Sequence, residues 1–154
     1  MKRAIFPGTF DPFTLGHYDV VQRGLSLFDE IVVAVGVNAS KRTLFTADER
    51  VAMIRKAFEG ESRVTVETYD DLTVNFAKKL DAEFILRGIR TVGDFEFEQT
   101  IANTNRSMTG VETVVLYTAP EHSFISSTVV RDLIRYGRDV QEFLPPGVVL
   151  PSAK

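Results

Sequence analysis

Short apolar runs alternate with amphipathic stretches along nearly the whole chain. Residues 3–6 and 30–37 are short runs, each opening on a charged residue and then β-branched and apolar, the pattern of strands covered on both faces. Between them, residues 17–28 place Val21, Leu25 and Phe28 at i, i+4 and i+7, which gives a helix one apolar face. Thr46-Ala47-Asp48-Glu49 has the form of a capping box, and Val51, Ile54 and Phe58 then follow on one helical face before Gly60. Residues 63–68 alternate as a strand does, residues 72–80 carry a short helix, and residues 83–86 form another buried strand. Residues 95–108 predict a helix, residues 112–117 a strand, and residues 127–136 a helix that Gly137 would end. This regular alternation implies right-handed βαβ crossovers. The expected architecture is α/β: a doubly wound, Rossmann-like parallel sheet of about five strands with helices on both faces. No linker, repeat or low-complexity stretch interrupts the pattern, so residues 1–154 read as one domain, with Pro145-Pro146-Gly147 setting off a short tail.

Composition narrows the picture. At 154 residues and 44% hydrophobic content the chain can bury a sizeable core without metals or disulfides. It has no cysteine, which excludes a disulfide framework and a catalytic thiol and fits a reducing compartment. Met1-Lys2-Arg3-Ala4-Ile5-Phe6 begins like a signal peptide, but Pro7-Gly8 stops the apolar run, and no later run approaches the roughly 20 residues of a membrane-spanning helix. A soluble, cytoplasmic protein with no membrane partner is expected. A net charge of −3 argues against a nucleic-acid binder, so any anion must be captured by a local cluster.

In an open parallel sheet ligands bind beyond the carboxyl ends of the strands, and four segments fall there. Residues 7–17 leave the first strand and enter the first helix. Gly8 and Gly16 would let backbone approach a ligand, the helix start offers free amides to a phosphate, and His17 supplies a donor, although capping alone also accounts for a histidine at a helix start. Ser40-Lys41-Arg42 follows the second strand, where it serves either as a solvated basic turn or as a source of charge facing the first loop across the strand-order switch. Arg87 and Arg90 follow the fourth strand. Arginines so near an apolar core need an anion, either a ligand phosphate or the carboxylates of Asp94 and Glu98. Residues 123–131 open the last helix with Ser126, Ser127 and Thr128, hydroxyls that cap the helix and also form an anion nest.

Together these segments resemble a known family. Thr14-x-Gly16-His17 matches the (His/Thr)-x-Gly-His signature of the nucleotidyltransferase superfamily, and Gly8-Thr9-Phe10-Asp11-Pro12 narrows the match. Arg87-Gly88-x-Arg90, Asp94-Phe95-Glu96-x-Glu98 and Asn105-Arg106 complete it, as does Ile125-Ser126-Ser127-Thr128-x-x-Arg131. From residue 3 to about residue 146 the chain is similar to the phosphopantetheine adenylyltransferases of coenzyme A biosynthesis. The resemblance implies that ATP and 4′-phosphopantetheine are the partners, and that Thr9, His17 and Lys41 hold transition-state charge without a covalent intermediate. By the same resemblance, ATP would meet Thr9, Phe10, His17, Gly88, Ile89, Arg90, Glu98, His122, Ser123, Phe124, Ile125, Ser126, Ser127 and Thr128. The acceptor would meet Thr9, Lys41, Thr73, Arg87 and Asn105, with Arg87 on its phosphate. Mg²⁺ is expected on the nucleotide rather than in a protein cage. Coenzyme A is a further expected ligand, by feedback, and a homohexamer the expected assembly. Phe95 and Phe97 would then face other subunits, the alternative being that their rings fill the core. The chain departs from the usual pattern at His122, where an aromatic residue is common, and at Thr128 and Arg131, where serine and lysine are. The rivals are a superfamily member acting on nicotinamide mononucleotide or using CTP, from which residues 87–106 separate it, and a non-catalytic nucleotide-binding module.

Overall fold

The computed structural model of the chain describes residues 1–151. Five strands, β1 (Arg3–Gly8), β2 (Glu30–Gly36), β3 (Val64–Tyr69), β4 (Phe84–Ile89) and β5 (Glu112–Tyr117), form one parallel sheet in the order β3-β2-β1-β4-β5. They alternate with helices α1 (Leu15–Gly24), α2 (Ala47–Ala57), α3 (Thr73–Lys79), α4 (Val92–Thr109) and α5 (Ser127–Arg135). The doubly wound sheet of the sequence pattern is therefore present. Ala4, Phe6, Val33 and Leu86 point to the face covered by Val20, Val21 and Leu25 of α1 and Val51 and Ile54 of α2. Ile5, Val32, Ala34 and Ile85 alternate to the opposite face, against Val74, Phe76 and Ala77 of α3.

The strand order reverses between β1 and β4, and that junction is short. β1 pairs with β2 along its whole length but with β4 only at Ala4 and Ile5. Beyond that point the two central strands no longer pair, which lets Pro7, with no N–H to give, occupy a central strand. The gap so opened is where a ligand can reach between the carboxyl ends of the strands.

Several boundaries differ from the sequence pattern. β1 runs on through Pro7-Gly8, and β4 runs on through Arg87-Gly88 because its pairing with β5 continues to Ile89; Arg87 thus sits in the strand and only Arg90 after it. α1 begins at Leu15 and ends at Gly24, though Leu25 and Phe28 are still buried in the core. A side chain at Gly24 would meet Leu86 at 2.8 Å, so glycine there allows α1 to lie close on β4. α4 begins three residues earlier than the apolar pattern suggests, because Thr91 caps it by accepting from the Asp94 amide. After α5 the chain packs back on the body: Val140 and Leu144 are buried, and beyond Pro145-Pro146-Gly147 the tail buries Val148 against Phe45 and Met53.

α4 is the outlier among the helices. Its one buried residue is Glu98, while Phe97 is 65% exposed and Val92, Phe95, Ile101 and Met108 are exposed as well. The alternative that Phe95 and Phe97 fill the core is therefore excluded.

Candidate active site

Two adjoining cavities open at the carboxyl ends of β1 and β4. The first, of about 330 Å³, is bordered by residues 6–11 at the end of β1 and in the loop after it, by Thr14 at the N-cap and Gly16, His17 and Val20 of α1, and by Arg87, Gly88 and Arg90. Thr118, Ile125, Ser126, Ser127, Thr128 and Arg131 close it on the side of α5. The second, of about 170 Å³, is bordered by Tyr69, Thr73, Ile85, Phe97, Glu98, Ile101 and Asn105. Pro7, Gly8 and Arg87 border both and form the partition between them.

The first loop presents His17 in a defined protonation state. Thr14 is the N-cap of α1, and His17 stands three residues on, where a capping box usually has a carboxylate or amide. The Thr14 hydroxyl accepts from the His17 amide at 3.4 Å, and the Thr14 amide donates to His17 Nδ1 at 3.0 Å. The Thr14 Oγ1 lies 3.2 Å from the same nitrogen. An atom that accepts from a backbone N–H cannot carry a proton, so the proton is on Nε2. That second nitrogen has no protein partner among the described residues, and the side chain borders the first cavity. Burial, with the nearby charges of Arg87 and Arg90, lowers the His17 pKa from 6.5 to about 3. Burial here means rings: Phe10 and Phe13 lie 5.0 and 5.3 Å away, centroid to centroid, and Phe6 lies at 6.3 Å. His17 is thus a neutral, oriented hydrogen-bond donor. It is unsuited to being a general acid near neutral pH.

Gly8 and Gly88 allow close packing around the first cavity. Phe10 is held at φ +55°, a costly angle for a bulky residue, and its ring turns inward. A side chain at Gly8 would fall 2.8 Å from that ring. Gly88 likewise has Val20 at 2.9 Å from where a Cβ would sit, so its glycine lets α1 dock on β4.

Arg87 and Arg90 differ in their partners. Arg87 Nη2 and Nε donate to Glu98 Oε1 at 2.6 and 3.0 Å, and Nη1 donates to the Pro7 carbonyl at 2.7 Å. The carboxylate alternative weighed from the sequence is therefore realised for Arg87, whose guanidinium is fixed in the partition. Glu98 borders the second cavity, with Thr73 and Asn105, rather than the first. Arg90 donates its amide to Asp94 at 3.0 Å, while its side chain reaches only the Ser123 carbonyl, at 3.4 Å. Its guanidinium has no ion pair among the described residues. Ile89 is buried in β4, and its carbonyl accepts from Thr118.

Lys41 reaches the first loop from beyond β2, donating from Nζ to Thr9 Oγ1 at 2.9 Å. The strand-order switch lies on the other side of β1, so Lys41 does not face Thr9 across it. Thr73 Oγ1 bonds with the Tyr69 hydroxyl at 2.9 Å at the edge of the second cavity.

The α5 segment divides in two. Residues 125–128 border the first cavity, whereas His122, Ser123 and Phe124 do not. The hydroxyls are engaged: Ser126 caps α5 by accepting from the Val129 amide, Ser127 donates to the Pro12 carbonyl, and Thr128 accepts from Arg131. Arg131, which borders the cavity, also donates to the Asp11 carbonyl at 2.8 Å.

Two charged groups are buried beside the first loop: Asp11, which the motif includes without a role, and Arg50, which the sequence does not single out. The Asp11 carboxylate accepts from the Leu44 and Phe45 amides, and Arg50 donates to carbonyls of Thr9, Gly36 and Phe45. Burial lowers the Arg50 pKa from its ordinary value, and the Asp11 charge opposes the fall. A signal existed for Arg50, which stands four residues before the buried Ile54 on the inward stripe of α2. Among the described residues no three histidine or carboxylate side chains converge as a metal site would require.

Residues 5–133 match a family model described as cytidylyltransferase-like. Phosphopantetheine adenylyltransferase of Bacteroides fragilis is 55% identical over 148 residues, covering 96% of this chain and 99% of that protein. Its namesakes from Phocaeicola vulgatus and Flavobacterium johnsoniae are 55% and 53% identical, each over 96% of this chain and 98% and 97% of their own. A solved structure of a bifunctional NMN adenylyltransferase/ADP ribose pyrophosphatase from Francisella tularensis, complexed with AMP and a manganese ion, aligns with a TM-score of 0.70 at 14% identity. It covers 95% of this chain and 45% of that one, and shows the shared fold. A long, high-identity match to those relatives and a nucleotidyltransferase-type sheet carrying the Thr-x-Gly-His box at its switch point lead to one conclusion: the chain belongs to the phosphopantetheine adenylyltransferase family of cytidylyltransferase-like nucleotidyltransferases.

Proposed function

We propose that this one-domain nucleotidyltransferase transfers the adenylyl group of ATP to the phosphate of 4′-phosphopantetheine, giving dephospho-coenzyme A and pyrophosphate. The observation that carries this reading is the pair of cavities sharing the Pro7-Gly8-Arg87 partition, one for each polyanion. ATP would occupy the first cavity, with the unpaired Arg90 and the start of α5 beside its phosphates. Thr73 and Asn105 would border the pantetheine arm in the second. An acceptor phosphate at Arg87 would then stand at the partition, in line to attack the α-phosphorus while pyrophosphate leaves from the opposite side. Positive charge from Lys41 and the Nε2–H of His17 would stabilise the equatorial oxygens as negative charge builds there. A neutral donor suits that position, because no proton need be transferred.

Mg²⁺ would arrive on the nucleotide. The first cavity is rich in cationic side chains, and the one carboxylate bordering it, Asp11, is occupied by two backbone amides, so the chain's own residues do not fit a dedicated metal cage. Among the described residues no helix is long and apolar enough to cross a membrane, and a cytoplasmic setting is the natural one for a coenzyme A precursor. The exposed apolar side of α4 supports a closed homo-oligomer, a hexamer by resemblance, and Phe97 and Ile101 place that surface beside the acceptor cavity. Coenzyme A, sharing the acceptor's pantetheine arm, would compete there.

Mixing ATP with 4′-phosphopantetheine and following pyrophosphate tests the reading. Release that depends on both compounds is expected. Binding of ATP without release would make the chain a nucleotide-binding module, and faster turnover with nicotinamide mononucleotide or CTP would favour the corresponding rival.

A further inference from the structure

Arg50 is 3% exposed and lies outside the set of groups that line either cavity. Its fork instead gathers three pieces of backbone. Nη1 donates to the Thr9 carbonyl at 2.7 Å and to the Gly36 carbonyl at 3.1 Å, while Nε donates to the Phe45 carbonyl at 3.2 Å. These carbonyls belong to the loop leaving β1, the last residue of β2 and the residue before the N-cap of α2. Gly36 and Phe45 are the two ends of the segment that carries Lys41. One guanidinium therefore holds both ends of the Lys41 loop and the backbone of Thr9, the residue that Lys41 contacts.

Asp11 reinforces the arrangement. Its two carboxylate oxygens accept from the Leu44 and Phe45 amides at 2.8 and 2.9 Å, tying the same loop end to the first loop. Lys41 itself is solvent-exposed at the loop's middle, and within the loop its amide donates to the Asn38 carbonyl. A long, flexible ammonium on an exposed loop gains a fixed position only if its base is fixed. A buried charge kept solely to dock α2 would not need to span Thr9, Gly36 and Phe45 together; hydrophobic replacement serves that purpose as well.

We infer that Arg50, assisted by Asp11, is a positioning residue for catalysis: it sets Lys41 against Thr9 so that both meet the transferring phosphoryl group. This rests on the functional reading above. Lysine at position 50 would keep the charge but lose the planar fork that serves separate carbonyls at once.

The test is a double-mutant cycle. Arg50→Lys and Asp11→Asn are each made in the wild-type chain and in Lys41→Ala, and kcat, KM for both substrates and thermal midpoint are measured. Arg50→Lys is expected to lower kcat about 10-fold or more in the wild-type background, since small misplacements of catalytic groups are costly, with KM for ATP changed by less than about 3-fold. In the Lys41→Ala background the same substitution should lower kcat by less than about 2-fold, because the group it positions is gone. Equal losses in both backgrounds, or a lowered thermal midpoint with normal kcat, would overturn the inference and leave Arg50 a structural residue. Should Arg50→Lys not fold, Asp11→Asn, of nearly unchanged volume, runs the same cycle with the same two outcomes. Activity of the wild-type chain separates the levels: additive losses in an active enzyme overturn this inference alone, whereas a wild-type chain that releases no pyrophosphate overturns the functional reading and this inference with it.

Discussion

Among the described residues two capping boxes, at the starts of α1 and α2, treat the backbone alike and differ beyond it. At the start of α2, Thr46 accepts from the Glu49 amide at 3.1 Å and the Glu49 carboxylate accepts from the Thr46 amide at 2.9 Å. At the start of α1, Thr14 and His17 make the same reciprocal pair. A carboxylate in this role is an acceptor only. An imidazole has two nitrogens, and using one to accept from the cap commits the other to donate. One local motif thus gives a helix start in the first case and a helix start plus an aimed donor in the second. Surroundings complete the difference: α1 begins among Phe6, Phe10 and Phe13 with Arg87 and Arg90 close by, at the one place where the central strands part.

The sharpest way to break this contrast is His17→Ala. It should lower kcat by about 10²-fold or more with little change in ATP affinity, because a donor aimed at developing charge acts mainly in the transition state. Steady-state kinetics beside an ATP titration would show it, and near-normal turnover would remove His17 from the catalytic set.

The arginines flanking the α1 box come next. Arg87→Ala should weaken 4′-phosphopantetheine by about 10-fold and ATP less, and Arg90→Ala should do the reverse, at about 1.4 kcal/mol for each factor of ten. Isothermal titration of each ligand against each variant decides the assignment. Equal loss of both ligands in both variants would make these residues structural.

Stability against pH sharpens the comparison from another side. The unfolded chain protonates His17 below its ordinary 6.5, whereas the folded chain does so only near 3, so the unfolded state binds the extra proton between those values. His17 should therefore withdraw stability as the pH falls from 6.5 toward 3, by up to ~1.4 kcal/mol per unit, and contribute no such slope above 6.5. Urea denaturation across that range should be measurably flatter for His17→Gln. An unchanged slope would mean that the imidazole is not held neutral.

The smallest effect belongs to the other box. Glu49→Ala should lower stability by about 1 kcal/mol or less while kcat of the folded enzyme stays normal, as for an ordinary cap. A large loss of turnover would erase the distinction between the two helix starts.

Much of this was legible in the sequence, for reasons that also mark what was not. β5 falls on residues 112–117 and α2 begins after Thr46, because apolar period and cap chemistry agree there. The end of β1 was missed because Pro7-Gly8 reads as a breaker, and only the parting of β1 from β4 makes a central proline acceptable. His17, Arg90 and residues 125–128 border one cavity, whereas Glu98 faces the other, since its place depends on which side of β4 receives α4. Periodicity marked His17 only as a helix-start residue; the reciprocal bond with Thr14 that selects its tautomer is a matter of geometry. Arg50 is not legible because its partners are backbone carbonyls up to 41 residues away, which no side-chain motif records; Asp11 stands in a quoted motif, but its bonds to the Leu44 and Phe45 amides are a matter of geometry.

The Thr14–His17 box holds a neutral imidazole with its proton on Nε2. Nitrogen NMR of the histidine-labelled protein tests it directly, and the chain has only two histidines, so a His122→Asn variant assigns the spectrum. His17 is expected to keep an unprotonated Nδ1 and a protonated Nε2 from neutral pH down to about pH 4.5, well below the ordinary titration range of histidine. A His17 signal that titrates near its ordinary value, or one that carries its proton on Nδ1, would contradict it.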